Sequence, residues 1–482
     1  MKSISKIYIL ENEIKNQLDK IKAGNPTIKL VRPCRIDDGI LTINPIEQPA
    51  LIRFFDKTKE DLNFTFFIPA SGSGSRMFDN MFDFLNPNNE FKDEAYKAVV
   101  KFLNRISDFA LYNKIPYHIK KNIKNGIVDV TDLIEYVLLE KGLNLGSLPK
   151  GLIPFHRYGK FMITPFQEHI IQGAKIGGDS SNFHFTINPI FSAKIKESIE
   201  VLRAITGIDF NYNFSEQDEK SNSYTFNEKN EAIKLNNGSY LQRPSGHGAL
   251  ISNLNKIESD IIFIKNIDNV QHYTKAYTSI DTQKVIAATL LKFQQTVFEL
   301  LNAIDENSET VYSVANELNN QFNLKISDTE LKRNDFLKSF FNRPIRICGM
   351  VKNEGQPGGG PFWVQENNTI SQQIIEKSQI NSADLEQRDI SIHATHFNPV
   401  NIVCAIKNYK NEKFNLLNYS NPNLYFLVRK KNKGEDIKYI EQPGLWNGGM
   451  HNWLTLFYEI DSACFSPVKT IMDLLNPLHI EK

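Results

Sequence analysis

The run Phe64-Thr65-Phe66-Phe67-Ile68 constrains the fold of this chain more than any other feature. It is apolar and aromatic, and it stops at Pro69 and a cluster of Ser and Gly. Side chains of that kind suit a pleated, buried surface, and Pro and Gly end it, so the segment reads as a buried strand feeding a tight loop. Similar runs recur at Phe183–Ile187, Ile261–Ile264, Ile345–Val351, Asn401–Ile406 and Leu424–Val428. Charged, helix-patterned stretches near 88–145 and 271–340 lie between them. In the second stretch Ile286, Leu290, Phe293, Val297, Leu300 and Ile304 step by four and three, which marks one packed face of a helix. Buried strands alternating with helices imply an α/β fold with a mixed, mostly parallel sheet. Residues 1–60 read as an N-terminal helical segment with turns, and 61–482 as a core carrying the two helical insertions.

Composition narrows the function classes. The 482 residues are 41% hydrophobic and 23% charged, which fits a folded chain larger than one ordinary domain. A net charge of +1 with no basic stripe argues against a nucleic-acid or membrane-surface binder. Phosphate substrates remain open, because they need local charge only. Cys34, Cys348, Cys404 and Cys464 include no C-x-x-C pair, so neither a zinc site nor a disulfide framework is expected, and a reducing cytoplasmic location is favoured. The first 19 residues lack the apolar stretch of a signal peptide. No apolar run is long enough for a membrane span.

The loop after the first strand reads Ser71-Gly72-Ser73-Gly74-Ser75-Arg76-Met77. Glycines let a backbone approach phosphate closely and aim N–H groups at it, and Arg76 adds a fork of donors. Met77 breaks the dinucleotide fingerprint, and no Gly-Lys-Ser/Thr follows to make a Walker A loop. An ordinary surface turn is the competing reading, but open α/β sheets bind ligands at strand carboxyl ends. A second glycine loop, Arg243-Pro244-Ser245-Gly246-His247-Gly248, precedes a helical segment, with His247 open to a capping or packing role. The strand at Ile261–Ile264 runs on to Asp268, which is either a turn residue or a magnesium ligand, since Mg²⁺ takes one or two carboxylates plus substrate phosphates. Lys150 and Lys469 are solvated lysines unless a site claims them. His393 and His396 form H-x-x-H without a third ligand at metal spacing, so a core or surface pair is favoured over zinc. The Gly-rich stretch 355–360 is a sugar-facing loop or a structural hairpin.

Five short motifs, in order from residue 69 to 475, carry a resemblance. The strand leading into Gly72-Ser73-Gly74-Ser75-Arg76, the pair Pro149-Lys150 and the segment Thr164-Pro165-Phe166-Gln167-Glu168-His169 resemble signatures of the sugar nucleotidyltransferase superfamily. Pro244-Ser245-Gly246-His247-Gly248 is similar to the loop with which uridine-sugar pyrophosphorylases hold the base. Phe465-Ser466-Pro467-Val468-Lys469-Thr470-Ile471-Met472-Asp473-Leu474-Leu475 resembles a segment of the UDP-glucose and UDP-N-acetylhexosamine pyrophosphorylase branch. The lysine follows the arginine much later than in that superfamily, so a helical insertion has to fill the gap between Arg76 and Lys150. The set also resembles a bacterial family defined as a domain of unknown function.

The resemblance implies a GT-A-like, Rossmann-like nucleotide-diphospho-sugar transferase fold. It further implies an enzyme that joins a nucleoside triphosphate, UTP by this likeness, to a sugar 1-phosphate and releases pyrophosphate. Arg76, Lys150 and Lys469 would then be catalytic. Ser71, Gly72, Ser73, Gly74, Ser75, Pro244, Gly246, His247 and Gly248 would bind nucleotide, and Asp268 would hold Mg²⁺. A GT-A-type glycosyltransferase and a non-catalytic nucleotide-sugar-binding protein are the alternatives. Neither needs the full set of Arg76, Lys150, Asp268 and Lys469.

Overall fold

The computed structural model describes residues 2–88, 92–178, 181–218, 221–355, 358–366, 369–432 and 435–481. The chain forms two compact units, each assembled from discontinuous segments. One comprises 1–63, 217–263 and 285–460, and the other 64–216, 264–284 and 461–482.

The second unit is organised by three neighbouring parallel strands, Phe64–Pro69, Ser181–Thr186 and Phe210–Ser215. Phe66 pairs with Phe183, which pairs with Tyr212, and the Phe66 and Phe183 rings stack at 5.0 Å. Helix Pro165–Gly177 follows Thr164, whose capping box with Gln167 satisfies the first-turn N–H groups, and Pro165 supplies a preset φ at the first position. The stretch 88–145 holds helices Lys92–Asn104, Tyr117–Asn125 and Val130–Leu138. Phe102, Phe109, Ile134 and Val137 of that region form one apolar cluster with Met77 and Phe78 behind the glycine loop. Val468, Ile471 and Leu474 of the C-terminal segment join the same cluster. Burying a Phe, Val or Leu side chain contributes roughly 1.5–3 kcal/mol before entropy, so this cluster fixes the loop and the C-terminal segment to a common support.

The first unit carries strand Ile345–Lys352, parallel to Leu454–Glu459 and antiparallel to Asn401–Ala405 and His396–Phe397. A separate antiparallel set joins Lys29–Pro33, Gly360–Glu366 and Thr369–Ile375. Helix Tyr277–Asp305 begins the second insertion, and all six residues of its apolar stripe are buried.

The α/β class and the strands at 64–69, 181–186, 261–265, 345–352 and 401–405 agree with the sequence reading. Two readings need correction. Residues 1–60 hold a strand, Lys29–Pro33, and not only helix and turn. The segment Leu424–Val428 is not a buried strand: Leu424 and Tyr425 are core residues ahead of a partly exposed hairpin, Phe426–Asn432 with Glu435–Glu441.

Candidate functional site

The parallel strand Phe64–Pro69 ends where Ala70 donates its N–H to the Thr186 carbonyl, and the loop Ser71–Gly74 emerges from it. A short 3₁₀ turn, Ser75–Phe78, closes the loop by burying Met77 and Phe78. Segment 148–150 staples the loop from the side. Gly74 N–H donates to Leu148 O at 3.0 Å, Lys150 N–H donates to Gly72 O at 3.2 Å, and Ser73 bridges Pro149. The insertion between Arg76 and Lys150 thus returns the chain to the loop it left.

The two glycines of this loop differ. A Cβ on Gly74 would stand 2.4 Å from Ile153 Cδ1 and 2.8 Å from Leu148 O, so packing demands glycine there. A Cβ on Gly72 would meet nothing within 4 Å, and its φ lies outside the left-handed region. Neither packing nor conformation explains that glycine.

Asp268 lies three residues beyond strand Ile261–Lys265 and is 6% exposed. Two ammonium groups reach the same carboxylate oxygen: Lys150 Nζ at 3.0 Å from Oδ2 and Lys469 Nζ at 2.9 Å. Lys150 also donates to Val468 O at 2.8 Å. Val468 N–H donates to Asp268 O at 3.1 Å, so the C-terminal segment and the Asp268 turn are joined by backbone as well as by charge. Asp473 Oδ2 accepts from Lys469 N and Thr470 N at 2.8 and 2.7 Å, completing a capping box that aims Lys469. His169 Nε2 donates to Asn266 O and Ile267 O at 3.2 and 3.3 Å, and burial pushes its pKa down to about 3, so a neutral imidazole braces the turn.

The electrostatics of this cluster are lopsided. Burial alone would raise the Asp268 carboxyl, but Lys150 and Lys469 outweigh it and hold it below its ordinary value. Burial lowers Lys150 despite Asp268, and the charges of Lys469 and Arg76 push in the same direction. Arg76 itself is exposed. Two ammonium groups share one carboxylate oxygen, and the charge of Arg76 reaches Lys150, so positive charge outweighs the Asp268 carboxylate here. Such charge beside a loop exposed at Gly72 and Ser73 is suited to a polyanion.

Behind the cluster runs a buried polar chain to which the sequence reading gave no role. His479 Nε2 lies 3.0 Å from Ser466 O, which can only accept, so Nε2 donates. Burial pushes the His479 pKa down to about 3, which leaves its Nδ1 as an acceptor for His156 Nε2 at 2.9 Å. His156 Nδ1 meets Glu168 Oε2 at 3.1 Å, and the Tyr158 hydroxyl donates to the same oxygen. This chain ties helix Pro165–Gly177 to the segment that carries Lys469. Glu168 and His169 sit in the motif Thr164–His169; His156, Tyr158 and His479 have no motif around them, and only their burial reveals them.

The second glycine loop belongs to the first unit and forms a 3₁₀ turn, Gly246–Ala249, after a two-residue strand, Gln242–Arg243, that pairs with Ser223–Tyr224. It is therefore carried by a small ribbon. Pro244 is exposed, Gly246 has φ +66°, and a Cβ on Gly248 would stand 2.4 Å from Gln442 Cβ and 2.6 Å from Pro443 O. The His247 side chain lies outside the described residues. A cavity of about 320 Å³ adjoins the partner segment and is lined by Glu376, Phe426, Glu441, Gln442 and Gly444. Burial raises both Glu376 and Glu441, and the Glu441 charge adds to the effect on Glu376.

The remaining candidates separate. His396 is buried against Glu459 at 3.3 Å, whereas His393 is exposed beside Asp389. No group of three metal-ligating side chains occurs among the described residues. The Gly-rich stretch 355–360 joins strands Ile345–Lys352 and Gly360–Glu366, and Gln356 and Pro357 within it lie outside the described residues. All four cysteines are buried and free. Among the described residues no helix is long and apolar enough to cross a membrane.

Residues 1–480 match the family described as domain of unknown function DUF4301. The chain belongs to that family. No curated relative matches the sequence. Among solved structures, this DUF4301 chain is similar to the uridine diphosphate N-acetylglucosamine pyrophosphorylase from Trypanosoma brucei in complex with inhibitor. The identity is 11%, the TM-score 0.48, and the match covers 97% of this chain and 74% of that one. It is also similar to a mutant UDP-glucose pyrophosphorylase from Leishmania major in complex with UDP-glucose, at 11% identity and TM-score 0.42, covering 98% and 77%. A third is the UDP-N-acetylglucosamine pyrophosphorylase-like structure from Entamoeba histolytica, at 11% and 0.45, covering 91% and 83%.

Proposed function

We propose that this DUF4301 protein is a nucleotidyltransferase that joins a nucleoside triphosphate, UTP by motif resemblance, to a sugar 1-phosphate, giving a nucleoside diphosphate sugar and pyrophosphate. The observation that carries the reading is the excess positive charge of Lys150, Lys469 and Arg76 around Asp268, beside a strand-end loop whose Gly72 no packing explains. A glycosyltransferase or a binding protein would also meet a diphosphate, so the choice between them rests on the motif resemblance and on the reaction test below.

In this reading an oxygen of the sugar phosphate attacks the α-phosphorus and pyrophosphate departs in line. The protein contributes position and charge, as in phosphoryl transfer generally. The backbone of Ser71–Ser75 and the Arg76 guanidinium take the leaving pyrophosphate. Lys150 and Lys469 neutralise the phosphate oxygens they reach, and no general base is needed because a sugar phosphate is already ionised. Pro244, Gly246, His247 and Gly248 are assigned to the base by resemblance. Asp268 suits Mg²⁺: it offers one buried, ionised carboxylate, and Mg²⁺ completes its shell from phosphates and water. When bound, Mg²⁺ would supply charge neutralisation at the phosphates. We place the protein in the cytosol, where its four thiols stay reduced.

The test is a pyrophosphate-release screen of each nucleoside triphosphate against common sugar 1-phosphates, with Mg²⁺. Release that depends on both substrates supports the reading. Release of free nucleotide from a nucleotide sugar, with no pyrophosphate formed from any pair, would assign the chain to the glycosyltransferase alternative.

A further inference from the structure

The arrangement at Asp268 holds a contradiction that the proposed function leaves open. A metal ligand is needed there, yet the Oδ2 atom of that carboxylate already accepts from two ammonium groups, at 3.0 and 2.9 Å. A divalent cation approaching the free protein meets Lys150, Lys469 and Arg76 before it meets one carboxylate. Phosphate changes that balance. Lys469 is 60% exposed, and a long flexible stem lets its ammonium move from the carboxylate to a phosphate oxygen. Lys150 is 15% exposed and keeps a second anchor at Val468 O, so it moves less.

We infer that Lys150 and Lys469 close Asp268 to divalent metal in the ligand-free protein, and that phosphate opens it by drawing Lys469 away, so that metal and phosphate ligand bind as a pair. This rests on the proposed function only for the assignment of Asp268 as metal ligand. The closure is argued from the two contacts that occupy Oδ2 and from the repulsion that their positive charge sets against a cation at the other carboxylate oxygen. By linkage, phosphate must raise the affinity for metal by the same factor as metal raises the affinity for phosphate. Couplings between sites commonly fall at about 5–150-fold, and the withdrawal of Lys469 together with the negative charge that phosphate brings places this one at the upper end of that range.

The experiment uses the full chain, Mn²⁺ as a paramagnetic stand-in for Mg²⁺, and inorganic pyrophosphate as the probe. Free Mn²⁺ is followed by electron paramagnetic resonance, and pyrophosphate binding in chelator by calorimetry. Pyrophosphate itself binds Mn²⁺, so Asp268→Asn is measured in the same mixtures and only the difference is attributed to the site. Wild type should take up little Mn²⁺ alone and should gain affinity about 50–100-fold with pyrophosphate. Lys469→Met, whose side chain is exposed enough to leave folding intact, should bind Mn²⁺ without pyrophosphate about tenfold more tightly than wild type. Lys469→Gln gives the same comparison should the methionine variant fold poorly. Equal Mn²⁺ affinity of wild type with and without pyrophosphate overturns the inference, as does an unchanged affinity in both Lys469 variants. If pyrophosphate binds but wild type never exceeds Asp268→Asn in Mn²⁺ uptake, the metal assignment fails and the phosphate site stands. If pyrophosphate does not bind, the proposed function fails and this inference with it.

Discussion

The loop at Ser71–Arg76 and the loop at Pro244–Gly248 look alike in the sequence, each a small glycine-bearing segment ahead of a helical turn. Their surroundings differ in sign and in space. The first stands at the end of a parallel strand, next to three cations, and keeps open room over Gly72. The second stands on a two-strand ribbon, and both its glycines are used: Gly246 by a left-handed φ beside Glu441, Gly248 by contact with Gln442 and Pro443. The Glu441 carboxyl stands beside Gly246, and burial raises it. A glycine that packing consumes says nothing about a ligand, whereas one that packing leaves unexplained, in a field of positive charge, points to an anion. The first loop is therefore the phosphate candidate. The second offers no such unexplained glycine.

The largest effect that can test this contrast is at Asp268. Replacing one partner of a buried ion pair costs about 3–5 kcal/mol, and the value for Asp268→Asn should fall at the lower end, because Lys469 can turn to water. The folded pKa of Asp268 lies below its ordinary 3.8, so its contribution is complete above that pH and is lost as pH falls through the folded value. Melting temperatures of wild type and Asp268→Asn should thus differ by a steady amount above about pH 4 and converge below it. A constant gap down to the lowest pH would mean the pair contributes nothing through ionisation. Product formation by the variant should be lost even at temperatures where it is folded.

Arg76→Ala comes next. The side chain is exposed, so thermal stability should hold within about 0.5 kcal/mol. Loss of one contact made at the transition state should lower turnover about 10²–10³-fold. Turnover near wild type would return the first loop to the status of a turn and erase its distinction from the second.

Alanine at the glycines separates the loops directly. Gly248→Ala and Gly74→Ala each drive a Cβ against backbone oxygen, and overpacking of this kind costs about 1–3 kcal/mol. Gly72→Ala should leave the melting temperature unchanged yet weaken pyrophosphate binding in calorimetry. If Gly72→Ala binds pyrophosphate as wild type does, the open space over that residue has no ligand to serve.

Much of this is legible in the sequence alone. Long apolar runs such as Phe64–Ile68 and Ile345–Val351, and the six-residue stripe on helix Tyr277–Asp305, carry their periodicity in local sequence. Strands Gly360–Glu366 and Thr369–Ile375 escape such a reading because one opens on Gly-Pro, which reads as a turn, and the other carries Ser and Gln at half-exposed positions. The segment Leu424–Val428 misleads because core residues sit just ahead of the hairpin, so hydrophobicity and strand are offset by two positions. Within the site, Lys150, Asp268 and Lys469 are named by their motifs, and the structure joins them. That both lysines share one oxygen, and that His156 and His479 brace the segment behind them, depends on pairings across hundreds of residues. No local pattern encodes those.

The smallest expected effect belongs to Ser73, and it divides two contributions of the first loop. Ser73 Oγ bonds Ser75 Oγ at 3.0 Å and accepts from Ser75 N at 3.2 Å, a local turn that helps set the loop. Ser73→Ala removes those bonds without adding bulk, and an exposed hydrogen bond contributes only about 0.5–1.5 kcal/mol. Ser73→Val removes the same bonds and adds a β-branched side chain with a stiff χ1 on an exposed part of the loop. Both variants should therefore melt within about 1 kcal/mol of wild type. If phosphate approaches this backbone, Val should weaken pyrophosphate binding several-fold beyond Ala, because only Val crowds the approach. If Ala and Val lose equal affinity, the hydroxyl alone matters and phosphate lies away from the Ser73 side chain. If neither loses any, the contrast between the two loops is one of packing only.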